Sequence, residues 1–352
     1  MSQGNRKGMT LIELMVSMSI LVVVVAMTTT IVIQGVNVSR RGHEITDANE
    51  AARMGGEALT SALQSAGLGM SGGVYVAHGA VVVRTSPVII VNSTTGPDEL
   101  WVVRTHRQAL LESCVDEGAA TTVQRSGFGA IFARCSGGLT TAGLSGGGLT
   151  AAQNILMATN MSSGALLTNP VFTASPPGVS LGFDESGVAN FADHPQRGFQ
   201  KGDLVMPVRL EHYFIAPFNG VPSLMMEPGR VGSVSQGFAP TGTPRLIQLG
   251  VEDMQFAIGS DPTFSGDPAQ ITWANGPLGP NFVPGLKAVR VSLMTRSLRT
   301  LRASNGTVLL TNETSPQNLE DHVIPLPVVP DGFRRTLYTR RVELVNLGAE
   351  NL

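Results

Sequence analysis

Twenty-five consecutive residues, Met9 to Ile33, carry a single charge, Glu13. As a helix the run is roughly 37 Å long at 1.5 Å per residue, enough to cross a bilayer core with some tilt. A carboxylate inside such a segment costs a few kcal/mol unless it finds a partner. Immediately ahead of the run stand Arg6, Lys7 and Gly8. A cut after Gly8 would leave a free amine on Met9, close to Glu13 and within reach of the Glu13 of a neighbouring subunit. The helix itself offers Glu13 nothing else nearby. A carboxylate completed by an ammonium from the next molecule is a device for assembly.

The stretch Gly8-Met9-Thr10-Leu11-Ile12-Glu13 resembles the N-terminus of a type IV prepilin: a short basic leader ending in Gly, an apolar residue, Thr-Leu-Ile-Glu, then about twenty apolar residues. Met9 stands where Phe is commoner. The resemblance implies that a prepilin peptidase cuts between Gly8 and Met9, that Met9 is N-methylated, and that Glu13 serves assembly. It divides the chain into a leader (1–8), a helix (9–67) whose first part (9–33) spans the membrane, and an exported head (68–352). Two other readings compete. A cleaved secretory signal would use Val24-Val25-Ala26 as its site, but a Glu inside the apolar core argues against it. An uncut signal anchor would instead hold an unrelated periplasmic domain. Arg6 and Lys7 fit an inside N-terminus, although Arg40 and Arg41 reduce the asymmetry.

Beyond the membrane the helical pattern continues. Ile45, Ala48, Ala52, Gly55, Leu59, Ala62 and Ala66 recur every three to four residues, with Leu63 widening the stripe, and Gly67 and Gly69 end it. The simplest meaning of the stripe is a core face packed on a sheet, and its small residues admit a close neighbour. Short β-branched runs follow at Val74–Ala77, Ala80–Val83, Val88–Val91 and Glu99–Arg104. Residues 105–200 read as a loop-rich insertion, with Leu149–Met157 as one short helix. Regular alternation resumes at Leu204–Phe214. Asn219-Gly220 then makes a hairpin turn into Ser223–Glu227, and strands are expected at Glu252–Ile258, Leu286–Ser297 and from Arg335 to about Val345. The expected fold is α+β: a long helix covering one face of an antiparallel sheet.

The later segments add to the resemblance. Gly202-Asp203, His212-Tyr213-Phe214-Ile215, Val251-Glu252-Asp253-Met254-Gln255-Phe256, Val289-Arg290-Val291-Ser292-Leu293 and Arg334-Arg335-Thr336-Leu337-Tyr338-Thr339, in that order, are similar to minor pilins of the PilW type. This implies a subunit that helps start type IV pilus assembly at a base or tip complex. Its partners would be other minor pilins, the major pilin, an inner-membrane assembly platform, membrane lipid and a large tip adhesin. It implies an inner-membrane location with the head in the periplasm, then an extracellular pilus. The J-type pseudopilin of type II secretion is built alike and is the alternative; a signal-anchored periplasmic hydrolase or binding protein is a third.

Composition agrees with a structural role. Losing the leader removes Arg6 and Lys7 and moves the formal charge from −2 to about −4, which does not favour nucleic acid. Forty-one glycines beside 5% aromatics fit a loop-rich β head better than a dense α/β enzyme. The two cysteines, Cys114 and Cys135, both fall in the exported part. In an oxidising compartment they would most simply pair, closing a loop worth about 3 kcal/mol; two separate buried thiols are the alternative.

Several motifs invite chemistry and fail on context. Gly67-Leu68-Gly69-Met70-Ser71-Gly72 fits G-x-G-x-x-G but follows a helix and opens a strand, the reverse of a dinucleotide site. The G-x-S-x-G matches at Gly69–Gly73 and Gly143–Gly147 lack a strand-to-helix elbow. His43, His78, His106, His194, His212 and His322 have no metal-ligand spacing, and Asp261–Asp267 lacks the closing Glu of a calcium loop. No cofactor is expected. Arg334, Arg335, Arg340 and Arg341 read as a solvated strand face paired with Asp331 and Glu343, or else as a contact surface for a neighbour.

Overall fold

A computed structural model describes residues 10–68, 70, 73–78, 81–105, 111–112, 131–132, 155–159, 164–167, 171–175, 178–182, 204–231, 238–263, 265, 267–275, 283, 285–300, 317–324 and 331–347. One helix, α1 (Leu11–Gln64), takes up the whole N-terminal pattern. Its 54 residues make a rod about 81 Å long. Thr10 is the N-cap. The helix stops three residues before Gly67, the first of the two glycines expected to end it. Ser65 caps it, Gly67 turns the chain at φ +69°, and Gly67 N–H donates to Val103 O at 3.2 Å. The end is therefore set by capture of the chain into a sheet.

Among the described residues twenty strands follow. The first ten are β1 (Val74–His78), β2 (Val81–Thr85), β3 (Val88–Val91), β4 (Glu99–Thr105), β5 (Leu111–Glu112), β6 (Ile131–Phe132), β7 (Ile155–Thr159), β8 (Gly164–Leu167), β9 (Val171–Ser175) and β10 (Gly178–Gly182). The second ten are β11 (Leu204–Phe218), β12 (Val221–Val231), β13 (Phe238–Pro240), β14 (Arg245–Leu249), β15 (Val251–Ser260), β16 (Thr272–Asn275), β17 (Leu286–Arg296), β18 (Gln317–Leu319), β19 (His322–Ile324) and β20 (Arg335–Glu343). Two principal sheets result, where the sequence led us to expect one. The larger has β11 as its spine: one edge pairs with β7 and then β12, the other with β5 and then β4. Its β1–β8 pair is parallel, the other pairs antiparallel. The second sheet, in order β16-β15-β17-β20, is antiparallel throughout.

Both sheets and the upper half of α1 share one core. Leu59, Ala62 and Leu63 of the helix, and Ala66 just past its end, pack with Val88, Ile90, Leu100, Val102, Tyr213 and Leu224 of the larger sheet. From the second sheet come Met254, Phe256, Val289, Val291, Leu293 and Val342. The small residues of the helix face are required by distance. A Cβ on Gly55 would sit 3.4 Å from Leu293 Cδ1, and one on Gly56 would overlap the Tyr338 ring. Thr295 Oγ1 donates to Ala48 O at 2.9 Å, tying β17 to the helix backbone. The stripe differs in detail from the expected one: Ile45 is partly exposed, whereas Glu44, Ala51 and Gly56 are buried.

The insertion at 105–200 contains strands wherever it is described. The short helix expected at Leu149–Met157 is corrected to β7, which begins at Ile155 and pairs with β11 and β8. There an open sheet edge outweighs a weak helical pattern.

Candidate assembly site

Among the described residues, none packs on the lower half of α1. Its most apolar 18-residue window has a mean hydropathy of 2.5 and no buried share, and by length and composition the helix is able to cross a membrane. Leu11, Ile12, Met15, Met18, Leu21, Val22, Met27 and Ile31 are all exposed. Within the run, Ser19, Thr28, Thr29 and Thr30 turn their hydroxyls back on the carbonyls three or four residues earlier, at 2.7–3.0 Å. That hides polar groups an apolar medium would not solvate.

Glu13 is held at the mouth of this helix, and here the expectation that its own helix offers nothing but the Met9 amine is corrected. Thr10 N–H donates to Glu13 Oε2 at 2.9 Å, the Thr10 hydroxyl lies 3.1 Å from the same oxygen, and Glu13 N–H reaches Thr10 Oγ1 at 3.4 Å. This is a capping box, which satisfies two amides the helix cannot bond itself. Both contacts to the carboxylate fall on Oε2; among the described residues Oε1 takes none. A side chain read only as an assembly ligand thus also starts the helix. The signal was in the sequence, because Thr10 and Glu13 have the spacing of a capping box.

Gly8 and Met9, the expected cleavage and methylation positions, lie outside the described residues, as do Cys114 and Cys135. The Gly143–Gly147 match, His106 and His194 also fall outside them. Gly67-Leu68-Gly69-Met70-Ser71-Gly72 lies between α1 and β1, in the order expected.

In the head, ionisable residues pair with one another. His212 lies between two carboxylates, with Nδ1 2.8 Å from Glu227 Oε1 and Nε2 3.1 Å from Glu99 Oε2. Its ring stacks on Trp101 at 4.0 Å and on Phe214 at 4.8 Å. The hydrogen bond from His212 holds the Glu99 carboxyl below its usual range. Counting back from the Asn219-Gly220 turn puts His212 opposite Glu227, so half of this cluster was readable from hairpin register. The bonds drawn to His212 come from carboxylates, with no hydroxyl or thiol among the described residues, so the arrangement offers no activated nucleophile.

The C-terminal arginines divide. Arg341 pairs with Glu343 at 3.3 Å on the exposed strand face, as expected. Arg335 finds Asp331 as expected, but it is largely buried and also donates through Nε to Glu252 Oε2 at 2.6 Å, with Arg296 on the other oxygen of Glu252 at 3.1 Å. Burial works against the Arg335 charge, and its bonds to Asp331 and Glu252 outweigh that and raise its pKa. It is a rivet between β15 and β20 rather than a solvated charge. Asp261 spends its carboxylate on Thr263 N–H, Thr263 Oγ1 and Ser265 Oγ, at 2.7–3.1 Å. Among the described residues no three Asp, Glu, His or Cys side chains are grouped as ligands of one metal position.

Residues 3–29 match the family model described as the prokaryotic N-terminal methylation motif. Comparison with curated proteins gives no match. Among solved structures the chain is similar to the type IV-like pilin TTHA1219 from Thermus thermophilus, at 18% identity and a TM-score of 0.25, over 55% of this chain and 85% of that one. The N-terminus, with Glu13 capping Thr10 at the head of an exposed apolar helix, therefore carries a type IV prepilin-like methylation signal.

Proposed function

We propose that this protein is a minor pilin of the PilW type, a non-enzymatic subunit that helps start type IV pilus assembly within a base or tip complex. The observation that carries the reading is α1: a single helix whose lower half is apolar, exposed and headed by Glu13, and whose upper half is built into the head's core. In this reading a prepilin peptidase cuts between Gly8 and Met9, Met9 is methylated, and its amine meets a Glu13. Glu13 Oε1 is the oxygen available to the neighbouring subunit. The protein waits in the inner membrane as a single-pass subunit with its head in the periplasm, Cys114 and Cys135 joined, and leaves it within the pilus. Its partners are the other minor pilins, the major pilin, the assembly platform and a large tip adhesin. The Met9–Ile33 run, uncharged apart from Glu13 and with its Ser19 and Thr28–Thr30 hydroxyls bonded to its own carbonyls, suits membrane lipid as its resting solvent.

The test is assembly in a strain lacking the gene. Complementation with wild type is expected to restore surface pili, and affinity capture from the membrane fraction to recover other minor pilins. Intact mass is expected to begin at a methylated Met9. An uncut N-terminus in a host with active peptidase, or capture of type II secretion pseudopilins in place of pilins, overturns the proposal; the latter selects the J-type alternative.

A further inference from the structure

The end of the head from which α1 emerges is set by a short run of hydrogen bonds. Thr295 Oγ1 donates to Ala48 O at 2.9 Å, Arg296 N–H to Gly250 O at 2.7 Å, Gly250 N–H to Pro222 O at 2.9 Å, and Ser297 N–H to Arg334 O at 2.8 Å. These bonds hold the β14–β15 turn, the end of β17 and the entry to β20 at the level of Ala48. The β11–β12 turn reaches further down. Leu224 of β12 lies against Gly55, about two helical turns above Ala48, and the strand descends from there through Pro222 to Asn219-Gly220.

This end is both apolar and basic. Phe218 is 39% exposed, Leu298 43% and Ile45 38%, and Pro217 is exposed beside Phe218. Arg40, Arg299 and Arg334 are exposed too, and among the described residues no carboxylate bonds their guanidinium groups. The acids close by are engaged, Glu252 with Arg296 and Arg335, and Asp331 with Arg335. Glu44 is buried, which leaves Asp47 as the exposed carboxylate among the described residues here. The end is therefore positive on a chain whose formal charge is −2. At the opposite end Val345 is exposed, but Arg341 is paired with Glu343.

What this surface faces follows from α1, and the step rests on reading that helix as a membrane span. The helix leaves the head through this end, so the bilayer lies below it. From Ile33, where the uncharged run stops, to Glu44, where burial against the head begins, α1 covers about 16 Å. The headgroup layer takes up roughly 5–8 Å of that. Long arginine side chains and the ordinary ~20° tilt of a spanning helix close most of the remainder on one flank. A head built into its helix must lean when the helix tilts.

We propose that the lower end of the head docks on the anionic phospholipid surface from which its own helix rises, with Arg40, Arg299 and Arg334 on lipid phosphates and Phe218 and Leu298 among the headgroups. Apolar side chains beside unpaired cations suit that interface, whereas free phosphate would leave the apolar groups in water. Docking would hold the unassembled subunit tilted, and extraction of the helix would release it.

The experiment places the full chain in vesicles of brominated phosphatidylcholine, with about 30% phosphatidylglycerol or with none. Flotation reports insertion of α1 independently of docking. Phe218→Trp puts a fluorophore at the lower end and Val345→Trp one at the upper; the wild-type chain, with Trp101 and Trp273, gives the background. In anionic vesicles Phe218→Trp is expected to be quenched at least about twofold more than Val345→Trp, and to lose that excess in neutral vesicles or at ~1 M salt. Each arginine near an anionic surface is worth about fivefold in the ratio of docked to free heads, so Arg299→Gln with Arg334→Gln is expected to lower it about 25-fold. Leu298→Trp is a second probe should Phe218→Trp not fold. Flotation without excess quenching at either lower probe overturns the docking and leaves the membrane reading of α1 standing, the pattern of a face reserved for another protein. Quenching that ignores lipid charge and the arginine variants also overturns it. Failure to float overturns both.

Discussion

Asn346, six residues from the end of the chain, donates its side-chain amide to Gln64 O and Ala66 O, both at 3.0 Å, and so closes the C-terminus of α1. A helix leaves its last four carbonyls without internal partners. The cap lies 280 residues or more from the groups it satisfies. The segment that follows β20 thus returns to the end of α1 and ties the head to the helix.

Replacing this cap tests its worth. Asn346→Ala is expected to lower the unfolding free energy by about 1 kcal/mol, the ordinary cost of losing hydrogen bonds at a partly exposed position. Asn346→Asp is expected to cost more, because it sets a carboxylate against two carbonyls. Urea unfolding of both variants in micelles measures the difference; equal losses would mean that the contact is not a cap.

At the other end, Glu13 joins two roles that one substitution separates. Gln keeps an oxygen to accept from Thr10 N–H and discards the charge, whereas Ala loses both. If charge serves assembly, Glu13→Gln and Glu13→Ala lower pilus number alike while both proteins stay in the membrane. Pili at wild-type number with Gln and reduced number with Ala would assign the residue to capping alone. Counting pili by electron microscopy, with immunoblots of the membrane fraction, decides it.

The helix–sheet approach makes a third prediction. A methyl on Gly56 collides with the Tyr338 ring, so Gly56→Ala is expected to cost about 1–3 kcal/mol through overpacking. Tyr338→Ala should remove that penalty, leaving its own loss. A double-mutant cycle is expected to give a favourable coupling near 1 kcal/mol or more; additivity would show that the contact relaxes without cost.

Stability is expected to depend on pH through Asp98. Its folded pKa of about 7 is above the ordinary 3.8, so the folded state holds a proton that the unfolded chain releases. The associated stability, about 4 kcal/mol in full, is present below pH 3.8 and is lost as pH rises through 7. Between pH 5 and pH 8 the loss is about 2–3 kcal/mol. Glu99 and Asp331, whose pKa values are lowered, act in the opposite sense at acid pH, below this window. Unfolding at both pH values is expected to show the decline in wild type and a flatter profile in Asp98→Asn; equal slopes would reject the assignment.

Local and strongly patterned features were legible in the sequence. Val88–Val91 appears with the expected bounds, and Asn219-Gly220 turns the β11–β12 hairpin with φ of +50° and +79°, the positive values such a turn needs. The small-residue face of α1 was also readable, Gly55 included, though not its neighbour Leu293. What escaped was set by distant partners. Ile155–Thr159 is a strand because β11 and β8 lie on either side of it, and nothing inside Leu149–Met157 records that. Arg335 looked like a surface charge because its partner Glu252 is 83 residues away. The division of the strands into two sheets escaped for the same reason, since alternation along a strand marks a buried face without naming what covers it. At the N-terminus the assembly reading of Glu13 overshadowed the nearer partner, Thr10.

The continuity of α1 has a mechanical meaning. Tension on the exposed half runs along one uninterrupted ladder of peptide hydrogen bonds into residues 48–66, where Ala48 is bonded to Thr295 and Asn346 closes the far end. A pull along the rod axis therefore meets the head as shear against two sheets at once. Slipping the helix by one turn would drive the ring of Tyr338 from the gap at Gly56 onto a bulkier neighbour. The smallest residues in the rod are thus its detents, and a head fastened in this way follows its helix without a hinge.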